Sequence, residues 1–384
     1  MTFDNPFTPA FSGMPHVFFG RARELEFAQS ALENANAPYK VFFLTGNRGS
    51  GKTTLLEQMS RMAAKRKWTT VDVHSTHAVQ SMVEALAGGT QKTSTKEVRP
   101  EAFGVSFGGA TSSTTMSFTE TSLANLLLET SEGDPFSQGV FITVDEIQKV
   151  PESDAENMSA AVQLALRKGA PVVMALAGLP GSKELVASYP GCTFMQRAYD
   201  MQIGCLEVDE TLDSFKRALG GVPFLEVGDD VLWRMGSFSQ GYPYLMQLVG
   251  YFLVEHMASQ SLGAPLQVSA GDLESVEPVA LESYRANVLE PIVSALAPSL
   301  EGYLRAMCKV RDEHGRISSG DVARELGKTM QQVSSYRQRL IDKRLIEPDG
   351  HGYARFLLPH IAEYFSDPRT STPKDPSQQW NRQA

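Results

Sequence analysis

Residues 46–53 read Gly-Asn-Arg-Gly-Ser-Gly-Lys-Thr and fill every fixed position of the pattern G-x-x-x-x-G-K-[ST], the spacing of a phosphate-binding loop. This stretch constrains the fold more than any other, because such a loop works only between a strand and a helix. Val41, Phe42, Phe43 and Leu44 supply a short apolar run before it, suited to a buried parallel strand. After it, Leu55, Leu56, Met59 and Met62 recur at helical spacing through residues 53–66. The glycines at 46, 49 and 51 are expected to take positive φ and bring backbone N–H groups close to an anion. The helix that opens at Lys52 aims the positive end of its dipole at the same place. The binding residues on this pattern are Gly46, Asn47, Arg48, Gly49, Ser50, Gly51, Lys52, Thr53 and Thr54. Lys52 would reach the terminal phosphates, and the Thr53 hydroxyl would take one position on Mg²⁺.

A second apolar run, Val-Phe-Ile-Thr-Val at 140–144, ends in Asp145 and Glu146. Two carboxylates after a strand are ordinarily just a solvated strand end. Beside a phosphate loop they gain roles: Asp145 as a Mg²⁺ ligand and Glu146 as the general base that polarises an attacking water.

Further strands are expected at 69–73, 171–176 and 201–206, with helices at 24–32, 77–86, 121–128 and 155–167. Alternation of this kind implies an α/β fold with a mostly parallel, three-layer sheet. Residues 88–118, rich in Gly, Ser and Thr, interrupt it. They read either as an inserted hairpin near 103–107 or as a plain excursion. From residue 210 the pattern turns helical, at 211–219, 229–238, 243–258 and 269–288. Three more helices follow at 299–310, 318–326 and 329–344, then strand, turn and strand through 357. Three helices and a small hairpin form the pattern of a winged helix. Residues 1–15 hold three prolines and read as an extended arm, and residues 366–384 as a disordered tail.

The third helix of that segment places Met330, Val333, Leu340 and Ile341 on a face expected to be buried. Gln331, Gln332, Ser335 and Arg339 lie opposite. Amide and guanidinium groups there can read base edges in a major groove, and Arg355 on the wing can touch phosphate. The other reading is a solvated face used for protein contact. Charge bears on this choice. The whole chain carries −9, unlike proteins that coat nucleic acid, but residues 300–365 hold 11 Lys+Arg against 9 Asp+Glu.

Composition excludes little else. Apolar content of 42% and charged content of 21% are ordinary for a globular chain of 384 residues, a length that suggests two or three domains. No run approaches the ~18 apolar residues that span a bilayer, and residues 1–15 lack the marks of a signal peptide. Cys192, Cys205 and Cys308 are scattered and form no metal or disulfide pattern, which fits a cytoplasmic protein.

Phe19-Gly20-Arg21-x-x-Glu24-Leu25 ahead of the phosphate loop, with Asp145-Glu146-Ile147-Gln148 after it, resembles the AAA+ superfamily. Within it the likeness is to archaeal-type ATPases and the origin-recognition initiator clade, bordering on the STAND signalling ATPases. The resemblance covers about residues 5–365 and implies a P-loop domain with a parallel five-stranded sheet at 16–207, a helical lid at 208–290 and a winged-helix domain at 291–365. It implies ATP and Mg²⁺ as ligands, hydrolysis of ATP, and assembly into a homo-oligomer when ATP is bound. Phe19, Gly20 and Arg21 match the segment that covers adenine and ribose. Arg197, before the fifth strand, stands where this clade often places an arginine finger, although a surface salt bridge is the other reading. Gly241-Tyr242-Pro243 matches the lid motif and brings Tyr242 and Pro243 to the nucleotide.

Two departures from the superfamily's pattern bear on rate. Pro243 stands where AAA+ enzymes often carry Arg. Ala177-Gly178-Leu179-Pro180 offers no polar sensor after the fourth strand. Both imply slow turnover. Two function classes remain open: an ATPase that couples nucleotide to duplex-DNA binding, and a STAND-like switch whose winged helix contacts a protein partner.

Overall fold

Continuous apolar runs become central strands, and the alternating ones become edges. The structure, a computed structural model, describes residues 4–10, 17–90, 120–133, 137–260 and 265–367. Of the insertion expected at 88–118, residues 88–90 end a helix and 91–118 lie outside the described residues, as does the tail beyond 367. By contacts the chain divides into two units. One comprises 21–47 and 51–203; the other comprises 1–20, 48–50 and 204–384.

In chain order the first of these contains α1 (Ala22–Glu33), β1 (Val41–Thr45), α2 (Lys52–Lys65), β2 (Thr69–Val73), α3 (Ala78–Thr90), α4 (Glu120–Gly133), β3 (Val140–Val144), α5 (Glu152–Arg167), β4 (Val172–Gly178), α6 (Ser182–Ser188) and β5 (Tyr199–Gln202). The five strands form one parallel sheet in the order β2-β3-β4-β1-β5. Every residue of β1, β3 and β4 is buried, whereas β2 and β5 are partly exposed edges. This is the burial that a sheet covered on both faces demands. The register sets Thr45 level with Gly178, and Val144 level with Leu176. The residues that follow β1, β3 and β4 therefore all emerge at one edge, the carboxyl edge where open α/β sheets bind ligands.

The fifth strand is displaced from the expected 201–206. It begins at Tyr199 because β1 offers its partners from Phe42 onward, and it ends when β1 does, at Thr45 opposite Gln202. One last bond runs from the Ile203 N–H to the Thr45 carbonyl, 2.7 Å.

The other unit holds α7 (Val208–Gly220), β6 (Leu225–Glu226), α8 (Asp229–Ser239), α9 (Pro243–Gln260), β7 (Leu266–Gln267), α10 (Ala270–Tyr284), α11 (Glu290–Ser294), α12 (Pro298–Lys309), β8 (Ile317–Ser318), α13 (Ser319–Glu325), α14 (Met330–Asp342), β9 (Ile346–Pro348), β10 (Tyr353–Phe356) and α15 (Ile361–Ser366). Helix α9 is apolar nearly all round, with Leu245, Met246, Leu248, Val249, Leu253, Val254 and Met257 buried, as a central helix must be.

The helix expected over 269–288 stops at Tyr284 and passes through a π turn, Arg285–Leu289. Pro291 explains the change. It has no N–H, and its ring would strike the carbonyl four residues back, so the local bonds widen by one residue.

Residues 4–10 are not loose. Phe7 is 1% exposed and packs with Phe19 and Phe215 at ring distances of 6.1 and 6.3 Å. Asn5 donates to the Tyr251 carbonyl, and Gln247 accepts from the Thr8 N–H.

At the C-terminal end, β8, β10 and β9 form an antiparallel sheet beside α12, α13 and α14. Ser318 and Thr329 cap α13 and α14 through the N–H groups of Asp321 and Gln332. Val333 and Leu340 are buried as expected, but Met330 is 51% exposed. It is the first residue of α14, one turn short of the core that Val333 enters.

Candidate nucleotide-binding site

The first unit carries its chemistry at the carboxyl edge of the sheet. After Thr45 the chain bends through the phosphate loop, where the Gly46 N–H donates to the Gly178 carbonyl at 3.3 Å. Gly49 and Gly51 take φ of 76° and 88°; Gly46 does not, contrary to expectation. A side chain at either of the two would be strained, so both must be glycine. Gly51 is the N-cap of α2, and Lys52 opens the helix.

Lys52 is 9% exposed, and its Nζ donates to the Gly46 and Asn47 carbonyls at 3.0 and 2.9 Å. The ammonium is thus held against the loop, satisfied by carbonyls that a phosphate oxygen can replace. Thr54, one residue past Thr53, is half-buried.

Asp145 and Glu146 emerge from β3 beside this loop. The Thr53 hydroxyl donates to Asp145 Oδ2 at 2.6 Å, joining two residues 92 positions apart. Asp145 Oδ1 accepts the Glu146 N–H at 2.8 Å. Glu146 has φ 54°, a left-handed conformation that costs energy in any residue with a Cβ and clusters at functional sites. Its Oε2 accepts from Lys149 at 2.8 Å and from Gln148 at 3.2 Å. The donor set fits magnesium. A hydroxyl and a carboxylate already in contact are hard oxygen ligands, which octahedral Mg²⁺ prefers, with water completing the shell.

Arg21 is buried at φ 64°, its guanidinium 3.5 Å from Glu24. Phe19 is 6% exposed in the aromatic core with Phe7 and Phe215. Gly20, at φ 54°, lies against Leu206 and Glu210. In the same unit, Arg48 and Gly49 are bonded by residues 242 and 244. The Tyr242 hydroxyl donates to the Arg48 carbonyl, and the Tyr244 N–H to the Gly49 carbonyl at 3.1 Å. Burial pushes the Tyr242 phenol far up, which keeps it a neutral donor. Pro243 opens α9.

Arg197 is exposed and ends the 3₁₀ segment Pro190–Arg197 ahead of β5. Because β5 runs parallel to β1, Arg197 lies at the amino edge of the sheet. A four-residue strand separates it from the carboxyl edge by about 13 Å, so it does not reach its own chain's loop.

Gln331, Gln332, Ser335 and Arg339 are exposed on α14. Gln332 is partly committed, because its Oε1 accepts the Thr329 N–H at 2.9 Å in a capping box. Arg355 pairs with Glu347 across β9 and β10 at 2.5 Å. Gln148, Ser182 and Tyr244 were missed as site residues. Gln148 was visible in the Asp-Glu-Ile-Gln run, but nothing local to the run assigns it a partner.

Comparison with known proteins bears on these features. Residues 17–174 match the AAA ATPase domain family, and residues 286–365 match a domain family of unknown function, DUF8462. No curated protein matches the chain. Among solved structures, the Aeropyrum pernix ORC2 protein in its ADPNP-ADP complexes is similar at TM-score 0.60 and 14% identity, over 93% of this chain and 94% of that one. The ADP form of the same protein is similar at TM-score 0.52 and 13% identity, over 93% and 96%. The sheet order, the loop and the paired carboxylates thus agree with the family match: the chain carries an AAA ATPase domain over residues 17–174, within a P-loop fold shared with an archaeal ORC2 protein.

Proposed function

We propose that the chain binds and hydrolyses ATP, turns over slowly, and uses the nucleotide to control assembly and the availability of a C-terminal winged helix. The observation that carries this is the contact between Thr53 and Asp145 at 2.6 Å, with Lys52 and Glu146 beside it. Lys52 would exchange its two loop carbonyls for phosphate oxygens. Thr53 and Asp145 would hold Mg²⁺, which neutralises charge on the β- and γ-phosphates when bound. Glu146 would accept a proton from the water that attacks the γ-phosphorus. The bond from that phosphorus to the bridging oxygen breaks, giving ADP and phosphate. Oε2 of Glu146 already has two donors, while no donor reaches Oε1 among the described residues, so Oε1 is the acceptor for that proton. The ORC2 structures that share the fold are described as ADPNP-ADP and ADP complexes, which supports a nucleotide at this site.

The test is a pair of variants. Lys52→Ala should lose most Mg·ATP affinity, whereas Glu146→Gln should bind Mg·ATP and fail to hydrolyse it. Tight binding by the first, or wild-type turnover by the second, overturns the assignment.

Assembly follows from Arg197. Too far from its own loop, it would serve as an arginine finger in a neighbouring copy. For the C-terminal segment, the three helices with a three-stranded sheet support the winged-helix reading, and the exposed polar face of α14 supports contact with duplex DNA. One observation favours the second reading, a protein partner. Arg355, the wing's phosphate candidate, is engaged by Glu347, so a DNA backbone would first have to displace that carboxylate.

A further inference from the structure

Strand β4 ends in Ala177 and Gly178, and Leu179 and Pro180 follow it. The geometry shows why no side chain fits at 178. A Cβ on Gly178 would lie 2.6 Å from Ser182 Cβ and 2.8 Å from Gln148 Oε1, inside the distance that real Cβ contacts respect. The space is occupied by polar groups from two other elements.

Gln148, two residues past Glu146, spans that space. Its Nε2 donates to Glu146 Oε2 at 3.2 Å. Its Oε1 accepts from the Leu179 N–H and from the Ser182 hydroxyl, both at 3.2 Å. The carboxamide therefore has one end on the catalytic carboxylate and the other on the turn after β4 and the first residue of α6. Lys149 also touches Glu146, but the two side chains are 59% and 41% exposed. An exposed pair of that kind fixes little geometry. Gln148 is half-buried, and its amide is anchored at both ends.

We propose that Gln148, braced by Ser182 and the Leu179 N–H, is the positioning residue for the Glu146 general base. By occupying Oε2, the amide holds Glu146 in its left-handed backbone conformation with Oε1 left for the water. It also ties that carboxylate to the end of β4, so that a shift of the turn at 179–182 is felt at the base. The inference rests on the hydrolysis reading above and adds a residue to it.

The test compares full-length wild type, Glu146→Gln, Gln148→Ala and Gln148→Glu in single-turnover and steady-state hydrolysis, with Mg·ATP affinity measured calorimetrically. Gln148→Glu is the informative variant. It keeps an acceptor for Leu179 and Ser182, and so preserves the packing, but it replaces the donor to Glu146 with a like charge. A misplaced base costs up to roughly 100-fold. Both Gln148 variants should lower kcat by roughly 10- to 100-fold, with KM and Mg·ATP affinity unchanged. Wild-type kcat in Gln148→Glu, or a fall matched by an equal loss of Mg·ATP affinity, overturns the positioning role while the hydrolysis reading stands. Undiminished hydrolysis by Glu146→Gln overturns the reading beneath it, and the role of Gln148 with it.

Discussion

The contact between the N-terminal segment and α9 can be tested by a change of sign. Gly250 lies in the middle of α9. A Cβ there would sit 2.5 Å from Phe7 Cζ and closer still to two other ring carbons. The ring cannot turn away, because Phe7 is 1% exposed and wedged against Phe19 and Phe215. Gly250→Ala in the wild type therefore forces an overpacked core. The cost is about 3 kcal/mol, at the upper end for small-to-large changes, less about 1 kcal/mol gained from better helix propensity. The net effect should be a destabilisation of about 2 kcal/mol. Phe7→Ala alone should cost about 3–5 kcal/mol, or less if residues 4–10 simply release. In the Phe7→Ala background the obstruction is gone. Gly250→Ala should then stabilise by up to about 1 kcal/mol, because only the propensity remains.

The cycle thus predicts a coupling of about 3 kcal/mol and a reversal of sign. Hydrogen exchange of the α9 amides, read as free energies of opening, measures it without requiring the whole chain to unfold in one step. If Gly250→Ala has the same sign in both backgrounds, Phe7 does not lie on this helix and the reasoning fails.

If Arg197 completes a neighbour's site, hydrolysis per subunit should rise with protein concentration, and Arg197→Ala should abolish the rise without weakening Mg·ATP binding; turnover that is flat on dilution of the wild type would count against it. For DNA, three neutralised phosphates give a log K against log salt slope of about −2.7. In anisotropy titrations Arg339→Ala should weaken binding and relax sequence preference, and Glu347→Ala, by freeing Arg355, should tighten all duplexes alike; no binding by the full chain at low salt would transfer the proposed role of the C-terminal segment to a protein partner. Asp272 gives a pH dependence. Burial alone would push its carboxyl up, but the Ser269 hydroxyl and amide, with His256, hold it below the usual carboxylate range. Its stabilisation is therefore complete above the unfolded carboxylate value of about 4 and is lost as the pH falls through the lower folded value. Asp272→Asn should cost about 1 kcal/mol at pH 7 and nothing at a pH below both values, as judged by urea midpoints.

What could be read before the structure was whatever chemistry fixes at short range. The phosphate loop demands glycine at positive φ and a Lys-Thr pair at the helix start, so eight residues carry its signature. Strands β1, β3 and β4 are buried on both faces and therefore show as unbroken apolar runs. The fifth strand was misplaced because an edge strand is bounded by where its neighbour ends, and that information lies in β1, more than 150 residues earlier. The packing of Phe19 shows a related limit. Its ring lies with Phe7 and Phe215, and Phe215 comes from α7, far along the chain.

Gln148 is the clearest instance of the same limit. Its motif was visible, but its duty depends on Leu179 and Ser182, more than 30 residues on. The stretch Ala177-Gly178-Leu179-Pro180 offers no polar sensor, which the sequence reading takes as a reason for slow turnover. The packing around Gly178 shows that the position is closed to any side chain because another polar group fills it. Slow turnover, as proposed, still rests on both departures, Pro243 and the lack of a polar side chain at 177–180.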